Sequence, residues 1–154
     1  MKIRNAVLSD LDFIVRANAE VNAESKLKPA DISLKERLKN DFFPANKTRS
    51  NARIMIAEID GAPVGMVVYS ACYFMKEGDS IWVSNEYVDE KHRKSGVMTA
   101  MMNRLKEIAR EENYNHICFL IDKDNTPSRD FAFKNGAKDV DNLRLFFIDT
   151  KKAE

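Results

Sequence analysis

The sequence predicts an α/β protein built on a mixed sheet, and three observations carry that prediction. Strand-like and helix-like periodicities alternate along the chain. Asp60-Gly61, set between two apolar runs, reads as a tight hairpin. A strand, a long amphipathic helix and a second apolar strand then follow between Ile81 and Ile121, which is the pattern of a crossover. The resulting order is β-α-α-β-β-β-α-β-α-β. At 154 residues the chain is the size of one domain, residues 1–154, and is long enough to bury a sizeable core.

Residues 3–7 form a short strand. Ser9-Asp10-Leu11-Asp12 then fits a capping box with an acid at its last position, and Leu8 with Phe13 fits a hydrophobic staple. Leu11, Ile14, Val15, Asn18 and Val21 recur at helical spacing and give the first helix one mostly apolar face. Ser33-Leu34-Lys35-Glu36 opens a second helix, whose Leu34, Leu38 and Phe42 stack one turn apart until Pro44 stops it. Residues 54–59 and 64–74 are the hairpin strands, and residues 81–88 are the next strand. Val97, Met101, Leu105 and Ile108 mark the long helix, which ends near Asn113. Residues 116–121 are nearly all apolar, as in a central strand covered on both faces. Asn125-Thr126-Pro127 starts a short helix with proline in its first turn, and Gly136 suits its left-handed cap. Residues 144–149 read as a final strand.

Composition narrows the function. Lys and Arg number 25 against 24 Asp and Glu, so the chain has no global field for nucleic acid or an anionic membrane, and a small-molecule partner is expected. The first residues lack a secretory or transit pattern, and the longest apolar stretch, residues 64–75, is too short to span a bilayer. The expectation is a soluble cytoplasmic protein. Cys72 and Cys118 lie inside apolar runs, which suits buried reduced thiols. With no CxxC and only His92 and His116, no metal site is expected.

The segment from Val88 to Thr99 joins a strand to the long helix through a basic loop with a glycine. A helix N-terminus presents free backbone N–H groups and the positive end of a dipole, which would stabilise a pyrophosphate. Gly96 lets the backbone approach without a Cβ, and Lys91, Arg93 and Lys94 add positive charge. A solvated basic turn before an ordinary helix has the same spacing.

This segment resembles the acetyl-CoA signature of GNAT acetyltransferases, Arg/Gln-x-x-Gly-x-Gly/Ala, with Arg93 and Gly96 in place and Met98 where a small residue is usual. Downstream, Asn125-Thr126-Pro127-Ser128-Arg129-Asp130-Phe131, Gly136-Ala137-Lys138-Asp139 and Arg144-Leu145-Phe146-Phe147-Ile148-Asp149 are similar to the C-terminal half of spermidine/spermine (diamine) acetyltransferases. Ile3-Arg4-Asn5-Ala6 with Asp10 resembles the start of that group. The resemblance implies the GNAT fold, a mixed sheet of about six to seven strands flanked by about four helices. It also implies that acetyl-CoA lies in a V-shaped opening between two central strands. The backbone of Val88 would then face the pantetheine arm and acetyl carbonyl. The backbone of Arg93, Lys94, Ser95, Gly96, Val97 and Met98 would hold the pyrophosphate, and Asn125 would reach the sulfur end.

Acetyl transfer to an amine needs a neutral nucleophile, and a free alkylamine titrates near ~10.4, so a base is useful. Glu86 is the candidate. It stands two residues before Val88, so strand alternation puts both side chains on one face if no bulge intervenes. An exposed strand glutamate without a role fits the same pattern. The diamine enzymes carry their glutamate base one same-face step earlier, where this chain has Ser84. The family's tyrosine general acid would follow Phe131, where this chain has Ala132. Tyr73, Tyr87 or a water are the substitutes open to it. Glu20 and Glu24, at the end of the first helix, either attract a cationic acceptor or form a hydrated face. The expected activity is N-acetylation of a primary amine of a small molecule, with a polyamine or diamine as first acceptor. The alternative is a noncatalytic acyl-CoA-binding sensor or interaction module on the same fold. Dimers are common among proteins resembling this one, so a homodimer is the assembly to test.

Overall fold

A computed structural model of the chain describes residues 1–24, 34–43, 50–74 and 78–140. The chain divides into two compact units, residues 1–120 and 121–154. In the first, strands β1 (Lys2–Asn5), β2 (Ala52–Ile59), β3 (Ala62–Phe74), β4 (Gly78–Val88) and β5 (His116–Phe119) lie side by side in chain order. The pairs β1–β2, β2–β3 and β3–β4 are antiparallel, and β4–β5 is parallel, so the sheet is mixed as the sequence predicts. Helices α1 (Leu11–Glu24) and α2 (Leu34–Phe42) connect β1 to β2, and α3 (Val97–Glu111) makes the crossover from β4 to β5. Asp60 and Gly61 both have positive φ, 50° and 78°, as the mirror-image two-residue turn between β2 and β3 requires.

The sheet buries both faces. On one, Phe13, Ile14 and Ala17 of α1 pack on Ile54, Ile56, Met66 and Tyr87, with Leu38 and Phe42 of α2 against them. On the other, Val97, Met101 and Leu105 of α3 are fully buried, each such side chain contributing roughly 1.5 to 3 kcal/mol. A Cβ added at Gly65 would come within 3.0 Å of Val97 Cγ1 and 3.1 Å of Met101 Sδ, so glycine lets α3 lie close on β3.

Several sequence expectations change. The first helix is capped earlier than Ser9 suggests: a tight 3₁₀ turn (Leu8–Asp10) precedes α1, and the Asp10 carboxylate accepts from Val7 N–H at 2.8 Å. Asp10 is better placed for this because Arg4 holds it through two hydrogen bonds, 2.6 and 2.9 Å long, at a site only 4% exposed. Leu8, one half of the expected staple, is 53% exposed. The apolar run at 116–121 is strand only to Phe119 and is half-buried to exposed, because β5 lies at the edge of the sheet among the described residues. The two cysteines are half-buried rather than buried. Among the described residues there are five strands where about six to seven were expected for the whole chain, and the expected strand at 144–149 lies outside the described residues, as do Ser33 and Pro44.

In the second unit, α4 (Thr126–Lys134) forms as predicted. Asn125 Oδ1 accepts from Ser128 N–H at 3.2 Å, Pro127 sits in the first turn, and Gly136, with φ 87°, donates its N–H to Phe133 O at 3.0 Å. No helix among the described residues is long and apolar enough to cross a membrane.

Candidate active site

The site is built on β4. Its register on β3 pairs Asn85 with Val68 but Val83 with Tyr69, so Ser84 is an extra residue, a bulge. Pairing with β5 ends at Val83↔Phe119, and among the described residues no strand flanks the far edge of residues 84–88. The strand's last turn of pairing fixes which groups face that edge. Asp89 N–H donates to Val64 O at 2.9 Å, so the end of β4 is hydrogen-bonded to β3 at Asp89. Antiparallel alternation then turns the backbone groups of Val88 and Glu86 away from β3, toward the open edge. The expected Val88 donor is thus accompanied by a second amide, that of Glu86.

The bulge also sorts the side chains. Glu86 and Val88 lie opposite Val67 and Gly65, and a Cβ at Gly65 would meet α3, so both project to the α3 face. Ser84 and Asn85 line a pocket on the opposite face, beside Ile14, Asn18, Leu38 and Phe42 of α1 and α2. Glu86 and Val88 share a face as expected, but Ser84 is not one same-face step before Glu86, because the extra residue shifts the alternation. Nor is Glu86 an exposed strand residue. Its Oε1 is buried and has no hydrogen-bond partner among the described residues, and burial pushes its carboxyl above the usual range.

Beyond β4, a 3₁₀ turn (Glu90–His92) leads through Arg93, Lys94 and Ser95 to α3. Lys94 and Gly96 both have positive φ, 62° and 88°, and Gly96 is the N-cap of α3 with no side chain capping the helix. Nothing lies within 4 Å of where a Gly96 Cβ would stand, so the first amides of α3 open onto free space. Lys91, Arg93, Lys94 and Ser95 are exposed around it, Met98 is half-buried and Val97 is core. Ser95 Oγ donates to His92 O at 2.6 Å, and Arg93 Nε donates to Val88 O at 3.2 Å, which ties the loop to the end of β4. An uncapped helix end, a glycine with open space above it and a basic rim fit a diphosphate, and the open β4 edge fits an extended amide-bearing arm. Residues 93–98 and Val88, singled out in the sequence, therefore fall in one contiguous stretch of the first unit. Asn125 and Ala132 belong to the second, where Asn125 caps α4 and Ala132 is buried in it.

Tyr87, one of the substitute acids the sequence left open, has its hydroxyl between two carboxylates. Its hydroxyl lies 2.6 Å from Glu20 Oε2 and 2.8 Å from Asp89 Oδ1, and Arg16 Nη2 reaches the same Asp89 oxygen at 3.4 Å. Burial, then the two carboxylates, push the phenol well above its ordinary range, so it holds its proton. Glu20 is thereby engaged in this network rather than free for a cationic ligand. Tyr73 is 65% exposed near the end of β3. His92 is half-buried and lines a cavity of about 480 Å³ with Asp12, Arg16, Asp60 and Lys91, which carries both signs of charge.

Sequence reasoning missed the Asn18–Asn85 pair, in which Asn85 Nδ2 donates to Asn18 Oδ1 at 3.2 Å. The available signal was the polar run Ser84-Asn85-Glu86, where strict alternation fails inside an otherwise apolar strand.

Comparison with known proteins agrees with this geometry. The acetyltransferase (GNAT) family model matches residues 18–137. The chain is 24% identical over 163 aligned positions to an N-alpha-acetyltransferase of Sulfurisphaera tokodaii, covering 99% of this chain and 89% of that protein. Its fold is similar to that of a possible acetyltransferase from Clostridium difficile 630, with a TM-score of 0.79, 19% identity and 98% of each chain covered. It is also similar to a predicted acetyltransferase from Clostridium acetobutylicum solved with acetyl-CoA, with a TM-score of 0.72, 22% identity and 95% of each chain covered. The chain belongs to the GNAT family and is an acetyl-CoA-dependent acetyltransferase.

Proposed function

We propose that the protein acetylates a primary amine at the open edge of β4. The observation that carries this reading is the conjunction, on one strand, of outward-facing amides at Glu86 and Val88 with a Glu86 carboxyl whose Oε1 is buried and has no partner among the described residues. Bound acetyl-CoA supplies an activated acetyl group on a thiol whose pKa, near ~8.5 for a comparable cysteine, lets it depart without a dedicated acid. The backbone of residues 93–98 binds the diphosphate, with Lys91 and Lys94 adding charge at the rim. The Val88 N–H, and beside it that of Glu86, donates where negative charge develops on the carbonyl oxygen. One such donor is worth about 3 kcal/mol where it has been measured.

Glu86 takes the proton of the attacking amine. Its raised pKa makes it a stronger base than a solvated carboxylate, which suits proton removal near neutral pH. Asn125 is proposed to contact the cofactor's sulfur end, on the family resemblance alone. A primary amine of a small molecule or of a peptide fits this machinery equally, and the relative named N-alpha-acetyltransferase supports an α-amine.

The test is thiol release from acetyl-CoA across a panel of amines. Glu86→Gln should lower kcat/KM by about 10²- to 10⁴-fold and flatten its rise with pH, with acetyl-CoA binding retained. An unchanged pH profile in the variant would remove Glu86 from the chemistry.

A further inference from the structure

We propose that the pocket on the α1–α2 face of β4 selects the acceptor by an uncharged apolar side chain next to its amine, with Asn85 as the specificity-determining residue; this rests on the acetyl-transfer reading above. The pocket has a volume of about 150 Å³. A cavity near that size accepts a benzene-sized group, so it suits a leucine, methionine or phenylalanine side chain. Its walls are apolar, from Ile14, Leu38, Phe42 and Met66. Among the described residues, the polar groups in the lining are Asn18, Ser84 and Asn85, and no Asp, Glu, Lys or Arg lines it.

On those three residues one buried acceptor stands without a donor among the described residues. Ser84 Oγ donates to Val68 O at 3.4 Å, and Asn85 Nδ2 donates to Asn18 Oδ1 at 3.2 Å. Asn85 Oδ1 is buried and has no partner among the described residues. A buried acceptor without a donor costs free energy until one arrives, so the site asks for an N–H group. An amine, or the first amide N–H behind it, supplies one.

Position connects this pocket to the reaction. Ser84 and Asn85 are the bulge residues, directly before the Glu86 and Val88 amides that face the open edge. An acceptor seated by its side chain in the pocket would have to extend its amine past Asn85 to that edge, since the Glu86 carboxyl lies on the α3 face of the strand. A polyamine would instead leave cationic nitrogens against apolar walls with no counter-charge among the described residues. A free amino acid would bring a carboxylate that no cation among the described lining residues meets. The occupant that fits is an α-amine carrying an apolar side chain and an amide rather than a carboxylate, the N-terminus of a peptide.

Short peptides headed by Leu, Met, Ala, Lys or Asp, with free leucine and spermidine, are the probes. With saturating acetyl-CoA, kcat/KM for the Leu- and Met-headed peptides should exceed that for the Ala- and Lys-headed peptides, free leucine and spermidine by about 10-fold or more. Asn85→Asp should lower the Leu-headed value and raise the Lys-headed one, and Leu38→Trp should abolish the preference for Leu over Ala. Calorimetric binding of the same probes to the CoA-loaded protein gives the ranking independently of turnover. Peptide binding ranked by apolar side chain, without thiol release, would overturn the acetyl-transfer reading and keep the pocket's assignment. Thiol release or binding indifferent to the first side chain, or better for spermidine or the Lys-headed peptide, would overturn the assignment and keep the reaction.

Discussion

Glu86 is the residue at which fold and chemistry compete most directly. Burial raises its carboxyl pKa, so the native state favours the proton more than the unfolded chain does, where a glutamate titrates near ~4.3. A raised folded pKa gives stability that is complete below the unfolded value and is lost as pH climbs through the folded value. The native protein should therefore lose stability relative to a Glu86→Gln variant as pH rises above ~4.3, and the gap should level off once the native carboxyl has ionised. Urea midpoints of both proteins from pH 4 to 8 measure this, and parallel pH profiles would mean the carboxyl is solvated. Asp10 shows the opposite sign. The Arg4 hydrogen bonds hold its carboxyl below the usual range despite burial, so its contribution is present above the unfolded value and lost as pH falls through the lowered one. Asp10→Asn should cost roughly 1.5 to 3 kcal/mol at pH 7 and almost nothing in strong acid, by denaturant titration.

At the scale of elements, α3 couples the core to the cofactor loop. Gly65→Ala would set a Cβ 3.0 Å from Val97 Cγ1 and 3.3 Å from Tyr87 O, which pushes the first turn of α3 off β3. Overpacking of this kind costs about 1 to 3 kcal/mol, and because the displaced turn carries the anion-binding amides, acetyl-CoA affinity should fall with it. Isothermal titration beside a denaturation curve separates the two effects. The limits of α3, the Asp60-Gly61 turn and the proline-started α4 were legible in the sequence because each is fixed by local chemistry: a 3.6-residue period, two positive φ values, a missing N–H. The bulge at Ser84 was legible only as a fault in the alternation, since a pattern of period two does not say where an extra residue falls. The engagement of Tyr87 by Glu20, 67 positions away, had no local signal at all. The same holds for the Asn85 oxygen, without a partner among the described residues, which depends on how α1 and α2 meet the sheet.

At the scale of the whole molecule, the sequence suggests one domain over residues 1–154, whereas the chain's contacts divide at residue 120. Acetyl-CoA makes the difference measurable through linkage. A ligand that binds only the native state adds RT ln(1 + [L]/Kd), about 2.7 kcal/mol at a hundredfold excess over Kd. In a cooperative protein of this length, 1 kcal/mol moves Tm by roughly 2 to 4 °C, so that excess should raise a single calorimetric transition by about 5 to 10 °C. Two transitions, of which only one shifts with acetyl-CoA, would show that residues 121–154 fold apart from the cofactor site, and Asn125 would then drop out of cofactor binding. One transition moving as a whole would make both units a single thermodynamic body. Asn125→Ala should then reduce the acetyl-CoA-induced shift itself, beyond any loss of Tm caused by removing the α4 cap from the free protein.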